Sequence, residues 1–232
     1  MKEEEAGCLP KRWNIDRKKA LKTVKYTNQR GIRRCLHPSL SRRYPTNDRM
    51  MRYNRLFNSM FSDTMKSGVV SKRGNKYGQA YCTKYRWSRC HPMKLNSEAH
   101  EYLSMLFKRD GVPPKSTVNN SKDKSLGKFA RKCREADCQL VNTEPYYPWS
   151  MASKGCIKHL NQGLSRKILK SASPKQLWDN CIELEALIRS NNVLDIYGIE
   201  GQVPETVLTG QTGDISNLCK YEWFQWVIYY QP

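Results

Sequence analysis

Three groups of residues in this sequence are of types that do chemistry. The first ends a strand-like run. In VPPKSTVNNSKDKSLG, residues 112–127, the stretch Ser116-Thr117-Val118 stops at Asn119-Asn120, which reads as a strand passing into a polar loop. Ends of strands in α/β sheets are where ligands and catalytic groups gather. An acid is expected there, yet the chain supplies two amides and then Lys122. The second group is sulfur and imidazole: nine cysteines, at 8, 35, 82, 90, 133, 138, 156, 181 and 219, with His37 near Cys35 and His91 beside Cys90. These pairs are too sparse for a closed tetrahedral zinc site. An odd count without any CxxC argues against a disulfide framework and for buried, reduced thiols. His91, His100 and His159 stand alone and read as surface or structural residues. The third group is cationic: Lys154, Lys158, Arg166, Lys167 and Lys170 recur along one stretch and could track a phosphate backbone, although a solvated helix face fits the same residues.

Charge extends that third group. The chain of 232 residues carries 41 Lys and Arg against 21 Asp and Glu, a formal net charge of +20. Residues 1–55 hold +11 of it and residues 171–232 are acidic at −5. A basic front and centre points to a polyanionic partner, DNA or RNA. A membrane surface is not expected, because no basic amphipathic helix with a bulky apolar face is visible. No apolar run approaches the length of a membrane span, and Met1 to Gly7 offers three glutamates instead of an apolar leader. The expected location is the nucleus or cytoplasm, neither secreted nor transmembrane.

The elements that must position these residues follow from pattern. Residues 1–34 predict a basic helical segment in two pieces, the first started by Pro10 and the second capped by Asp16. Arg12, Lys18 and Lys19 stud it. It reads either as a helix-turn-helix meeting DNA or as a basic arm with solvated charges. Residues 35–56 predict a basic linker carrying Arg42 and Arg43. From 57 to 200 the pattern is that of a core. FNSMFSDTM is a strand with Asp63 near its end, and strands near 77–83 and 85–92 form a hairpin-like pair. A helix capped by Asn96 or Ser97 follows, with the stripe Leu103, Leu106, Phe107. Then come the strand at 116–118, a helix in KSLGKFARKCREADC, a fifth strand in QLVNTEP, and a long helix in WSMASKGCIKHLNQGLSRKILK through Trp149, Ala152, Cys156, Ile157, Leu160, Leu164 and Ile168. A last helix is expected with Ser173 as its cap and Pro174 at its first position. Trp149, Trp178, Trp223 and Trp226 read as core. Residues 201–232 extend the core. Three sequential antiparallel strands followed by βα crossovers give a mixed five-stranded α/β sheet with helices on both faces.

That order is ribonuclease-H-like. SDTM at 62–65, SEAHEYLSMLFKRDGVPP at 97–114, SLGKFARKCREADCQLVNTEPYYPW at 125–149 and PETVLTGQTGDIS at 204–216 closely resemble the integrase core of copia-type LTR retrotransposons. The resemblance covers about residues 40–230. It implies a polynucleotidyl transferase whose two aspartates and one glutamate hold Mg²⁺ or Mn²⁺, DNA integration as the ancestral activity, and possible homo-oligomers. Two hard cations about 3.5–4 Å apart need clustered carboxylates.

Carried over residue by residue, the first acid of the resemblance falls on Asp63, which is retained. The second falls on Asn119. The third falls on Lys154, 35 positions later. Asp63 alone remains as a metal ligand, an amide stands second and an ammonium third. Asp123 lies four residues past Asn119 and Glu144 ten before Lys154, and no acid occurs between Glu144 and Asp179. The expectation is an integrase-like nucleic-acid-binding protein that is catalytically inactive and needs no cofactor. Its predicted contacts are Arg12, Lys18, Lys19, Arg42, Arg43, Lys154, Lys158, Arg166 and Lys167. Two alternatives stay open: an active metal-dependent transferase with an unusual ligand set, and a transposon remnant without function.

Overall fold

The computed structural model of the chain describes residues 2–29, 56, 58–119, 122–143, 152–196, 199, 201–210 and 212–228. Arg42, Arg43 and nearly all of the expected linker, together with Glu144 and Trp149, lie outside them. In chain order the elements are α1 (Lys2–Trp13), α2 (Arg17–Tyr26), β1 (Met60–Lys66), β2 (Tyr77–Thr83), β3 (Ser88–Met93), α3 (Ala99–Arg109), β4 (Lys115–Val118), α4 (Lys122–Ser125), α5 (Lys128–Glu135), β5 (Gln139–Asn142), α6 (Ala152–Ser171), α7 (Trp178–Asn191), α8 (Pro204–Thr209) and α9 (Ser216–Lys220). The sheet runs β3-β2-β1-β4-β5. β1 pairs antiparallel with β2, and β2 with β3; β4 is parallel to β1 and β5 parallel to β4. This is the mixed five-stranded arrangement that the order of patterns predicts.

Alternation along β1 divides the core. Met60 packs with Tyr81, Trp87, Leu103, Leu106, Phe107 and Phe129 beneath α3 and α5. Phe61 and Met65 point to the opposite face, where Cys156, Leu160, Trp178 and Ile182 of α6 and α7 cover them. Successive side chains of a strand take opposite faces, so Asp63 shares the α6 side of the sheet. The edge strand β3 is buried along its whole length and tolerates Pro92 because its outer N–H side needs no sheet partner.

A third cluster joins the two ends of the described chain. Leu9, Trp13, Ala20 and Val24 pack on Ile188 of α7 and on Ile215 and Cys219. Trp13 Nε1 donates to Leu218 O at 3.0 Å, and a parallel bridge joins Asn28 to Asp214. The basic helical segment is thus packed on the core. Asp16 caps α2, accepting from Lys18 N at 3.0 Å, as its position predicts.

Several local expectations differ. Pro10 lies inside α1 and does not start it; Leu9 and Trp13, four residues apart and both buried, carry that helix into the third cluster. Asp63 is mid-strand. Neither Asn96 nor Ser97 caps α3, which is preceded by a 3₁₀ turn at Asn96–Glu98. A second 3₁₀ turn, Lys175–Leu177, moves the start of α7 to Trp178, so Ser173 caps nothing; its hydroxyl accepts from Trp223 Nε1 at 2.9 Å instead. Trp178 is core, but Trp223 is only half-buried and Trp226 is 94% exposed. No described helix is long and apolar enough to cross a membrane.

Candidate functional site

The strand pairing places Asp63 beside Asn119. β1 and β4 run parallel with Met60 opposite Ser116, Phe61 opposite Thr117 and Ser62 opposite Val118. One step further along both strands come Asp63 and Asn119. The half-buried Asp63 carboxylate accepts from Thr64 N at 2.9 Å, and Asn119 Nδ2 lies 3.5 Å from the same oxygen. An aspartate in the place of Asn119 would set a second carboxylate against the first. The amide instead turns a donor toward it.

Lys154 is the third residue of α6, the helix that covers this face of the sheet through Cys156, Ile157 and Leu160. It is exposed. Among the described residues Asp63 forms no ion pair with Lys154 or any other cation, so the structure joins two of the three predicted positions and leaves the third at the solvent edge.

The donors present do not fit a pair of hard cations. One carboxylate and one neutral amide cannot balance two divalent charges. The described residues contain no group of three or more His, Cys, Asp or Glu able to hold a metal ion. The side chain of Asp123, like Glu144, is outside the described set.

The cationic residues separate by environment. Lys154, Lys158 and Arg166 are exposed along α6, and Lys18 is exposed on α2; Arg12 and Lys19 are half-buried. Lys167 departs from this stripe: it is 8% exposed, and its ammonium is held by Glu185 of α7. Gly163, one turn earlier, permits this, because a Cβ there would overlap the Glu185 carboxylate. Lys170 donates to Lys11 O at 2.6 Å.

Sequence reading misses two further groupings. The buried Cys82 thiol of β2 donates to Cys156 of α6; this bond holds Cys156 below the usual thiol range and, together with burial, Cys82 well above it. Arg89 of β3 is 7% exposed and binds Asp110 at 3.1 Å and Glu205 at 2.9 Å. Its guanidinium lies 4.6 Å from the Trp87 ring centroid, and Trp87 Nε1 donates to Glu205 at 2.8 Å. The partners in each group lie far apart in the chain, so no spacing rule links them.

Comparison with protein-family models finds no match, and comparison with curated protein sequences finds none either. Solved structures are similar in fold. A chain from the cryo-electron microscopy structure of the simian T-cell lymphotropic virus intasome in complex with PP2A regulatory subunit B56 gamma matches with a TM-score of 0.51 and 16% identity. The match covers 75% of this chain and 58% of that one, so the present chain spans just over half of that protein's length. The catalytic core domain of BIV integrase matches over 65% of this chain and 92% of its own, with a TM-score of 0.46 and 11% identity. With the strand order above, the intasome chain shows the fold alone: a mixed five-stranded α/β sheet of ribonuclease-H-like order, β3-β2-β1-β4-β5, covered by helices.

Proposed function

We propose that this protein is an integrase-like nucleic-acid-binding protein of copia-type retrotransposon ancestry that no longer carries out strand transfer. One observation carries the reading. The strand-end position that should supply a second carboxylate beside Asp63 holds Asn119, with its amide nitrogen 3.5 Å from the Asp63 oxygen. The third position holds Lys154, whose charge is opposite to that of a metal-binding acid. Without the acid set, two-metal activation of a phosphodiester is lost. The remaining capacity is electrostatic: a net charge of +20 with Lys18, Lys154, Lys158 and Arg166 exposed. DNA or RNA is the partner this charge suits, through its backbone and without base readout. Self-association into homo-oligomers is part of the same proposal.

The test has two parts. Binding to duplex DNA should be independent of sequence, and neutralising about six phosphates should give a log–log salt slope of about −5. Binding that ignores salt would remove the nucleic-acid reading. The parent should neither nick nor join DNA with Mg²⁺ or Mn²⁺. The double variant Asn119→Asp/Lys154→Glu should acquire Mn²⁺ binding. Metal at about 100 times its dissociation constant should stabilise it by about 2.7 kcal/mol, with the parent unmoved. A parent that cuts DNA, or a double variant indifferent to metal, would overturn the assignment of these three positions.

A further inference from the structure

A second site lies away from the sheet. The end of α1, the second half of α6 and α7 enclose a cavity of about 590 Å³, within the range of small-molecule sites. Six cations line it, Lys11, Arg12, Arg166, Lys167, Lys170 and Arg189, against the single carboxylate of Glu185. Three of the cations are engaged: Lys167 by Glu185, Lys170 by Lys11 O, and Lys11 by Glu222 at 3.6 Å. The other three are arginines, one from each helix. Among the described residues Arg12, Arg166 and Arg189 form no ion pair.

Arg189 is the most demanding of them. Its Nε is buried and has no hydrogen-bond partner among the described residues. A buried N–H without an acceptor is costly, more so on a charged group. Burial pushes its pKa below the ordinary arginine value. An anion in the cavity that Arg189 lines would offset the cost of its buried charge, although the Nε itself is closed off from that space.

We propose that this cavity binds a compact polyphosphate, of the class of a nucleoside di- or triphosphate or the phosphorylated end of a strand. Guanidinium forks suit phosphate oxygens in bidentate geometry, and three of them from separate helices match several phosphates better than one. Ile15, Leu169 and Leu194 supply apolar wall against which a base can lie. A duplex is too wide to enter a space of this size. None of the lining residues belongs to the Asp63 strand end, so the inference does not rest on the lost-acid reading, although Arg166 is also one of the exposed cations offered above to nucleic acid.

Calorimetric titration of the full chain with ATP and with tripolyphosphate at physiological salt tests it. One ligand per chain is expected, with sulfate at equal ionic strength producing no saturable signal. Arg166→Gln/Arg189→Gln should weaken binding at least tenfold, a loss consistent with removing two charge-assisted contacts. Lys66→Gln/Lys108→Gln removes the same charge from exposed positions outside the cavity and should leave the affinity within about twofold. If circular dichroism shows that the Arg189 variant does not fold, Arg12→Gln/Arg166→Gln provides the same comparison without touching the buried group. Competition by a 5′-phosphorylated trinucleotide but not its 5′-hydroxyl form would assign the site to strand ends; no competition by either would assign it to free nucleotides. Absence of saturable binding, equal losses in the two charge-matched variants, or equal competition by both trinucleotides would each overturn the proposal.

Discussion

Lowering the pH should destabilise this fold through one histidine. His91 is on β3, 8% exposed. Its ring stacks on Tyr102 at 5.7 Å and meets Tyr81 edge-on at 6.0 Å. Its Nε2 has no hydrogen-bond partner among the described residues. Burial, chiefly, and the positive charges of Arg109 and Arg89 against the opposing Asp110 push its pKa from 6.5 down to about 4. The folded state therefore holds the neutral ring while the unfolded chain takes up a proton. The sign follows from that difference. The neutral ring's contribution is complete above pH 6.5 and is lost as pH falls toward 4. Stability rises with pH wherever the unfolded state binds more protons.

The size of the effect follows from the same two values. The interval between about 4 and 6.5 is worth about 3.4 kcal/mol in full, of which about 2 kcal/mol is lost by pH 5. For a domain of ordinary stability, about 5–15 kcal/mol, this is a substantial share. Urea unfolding at several pH values between 8 and 4.5 measures it. Carboxylates and other histidines also contribute to the parent's slope, so the comparison is with His91→Phe. That variant retains a stacked ring without a titrating group. The difference between the two curves should change by about 2 kcal/mol between pH 7.5 and 5, whatever offset the larger ring introduces. Parallel curves would refute the argument, as would an NMR titration of His91 near 6.5.

Two stability predictions accompany it. Among the described residues, Arg89→Met leaves Glu205, 16% exposed, with only the Trp87 N–H, and Asp110, 7% exposed, with only Arg109 at 2.8 Å, so chemical denaturation should show a loss of about 3 kcal/mol, the lower end for a broken buried pair; a loss under about 1 kcal/mol would mean that Arg89 does not hold β3 to α8. Gly163→Ala would ordinarily stabilise a helix interior by about 1 kcal/mol. Here the new Cβ meets the Glu185 carboxylate and displaces it from Lys167, so thermal melting should show a net loss of about 1–3 kcal/mol, and a more stable variant would show that the buried pair adjusts freely.

What the sequence made legible, and what it hid, divides by the range of the interaction. The five strands and their order can be read because alternation and β-branched or aromatic runs are local, and crossover rules leave few ways to arrange them. Leu103, Leu106 and Phe107 mark the buried stripe of α3 for the same reason. The helix starts are harder. Of the residues that look like caps, Asn96 opens one 3₁₀ turn and Ser173 precedes another, and the helices begin three and five residues later. Lys167 matches Lys158 and Arg166 in type and spacing, yet it is turned inward by Glu185, 18 positions away, across a gap that Gly163 leaves open. Arg12 and Arg189 face one cavity from opposite ends of the chain. No window of sequence contains both. The same separation hides Arg89, Asp110 and Glu205.

The stretches that carry the resemblance also differ in what they do physically, and this bears on how a site can change while its fold persists. PETVLTGQTGDIS is a packing segment. Pro204 opens α8, Glu205 accepts from Trp87 and Arg89, and Leu208 and Ile215 are buried in two different clusters. Gly213 lies so close to Asn191 that a Cβ would overlap its side-chain oxygen, and its carbonyl receives Asn28 N at 2.8 Å. Altering these residues would unseat the C-terminal segment from α7 and the N-terminal helices. The acid positions have no such duty. Asp63 is half-buried between Phe61 and Met65, which carry the packing of that face, and Asn119 lies one residue past β4. Lys154 is exposed on the first turn of α6, two residues before buried Cys156. In a metal-binding site, clustered carboxylates repel one another when the ion is absent. Replacing one by an amide and another by a lysine removes that repulsion at no cost to the core. On the function proposed above, physical chemistry therefore permits the loss of the acids and resists the loss of the packing segment.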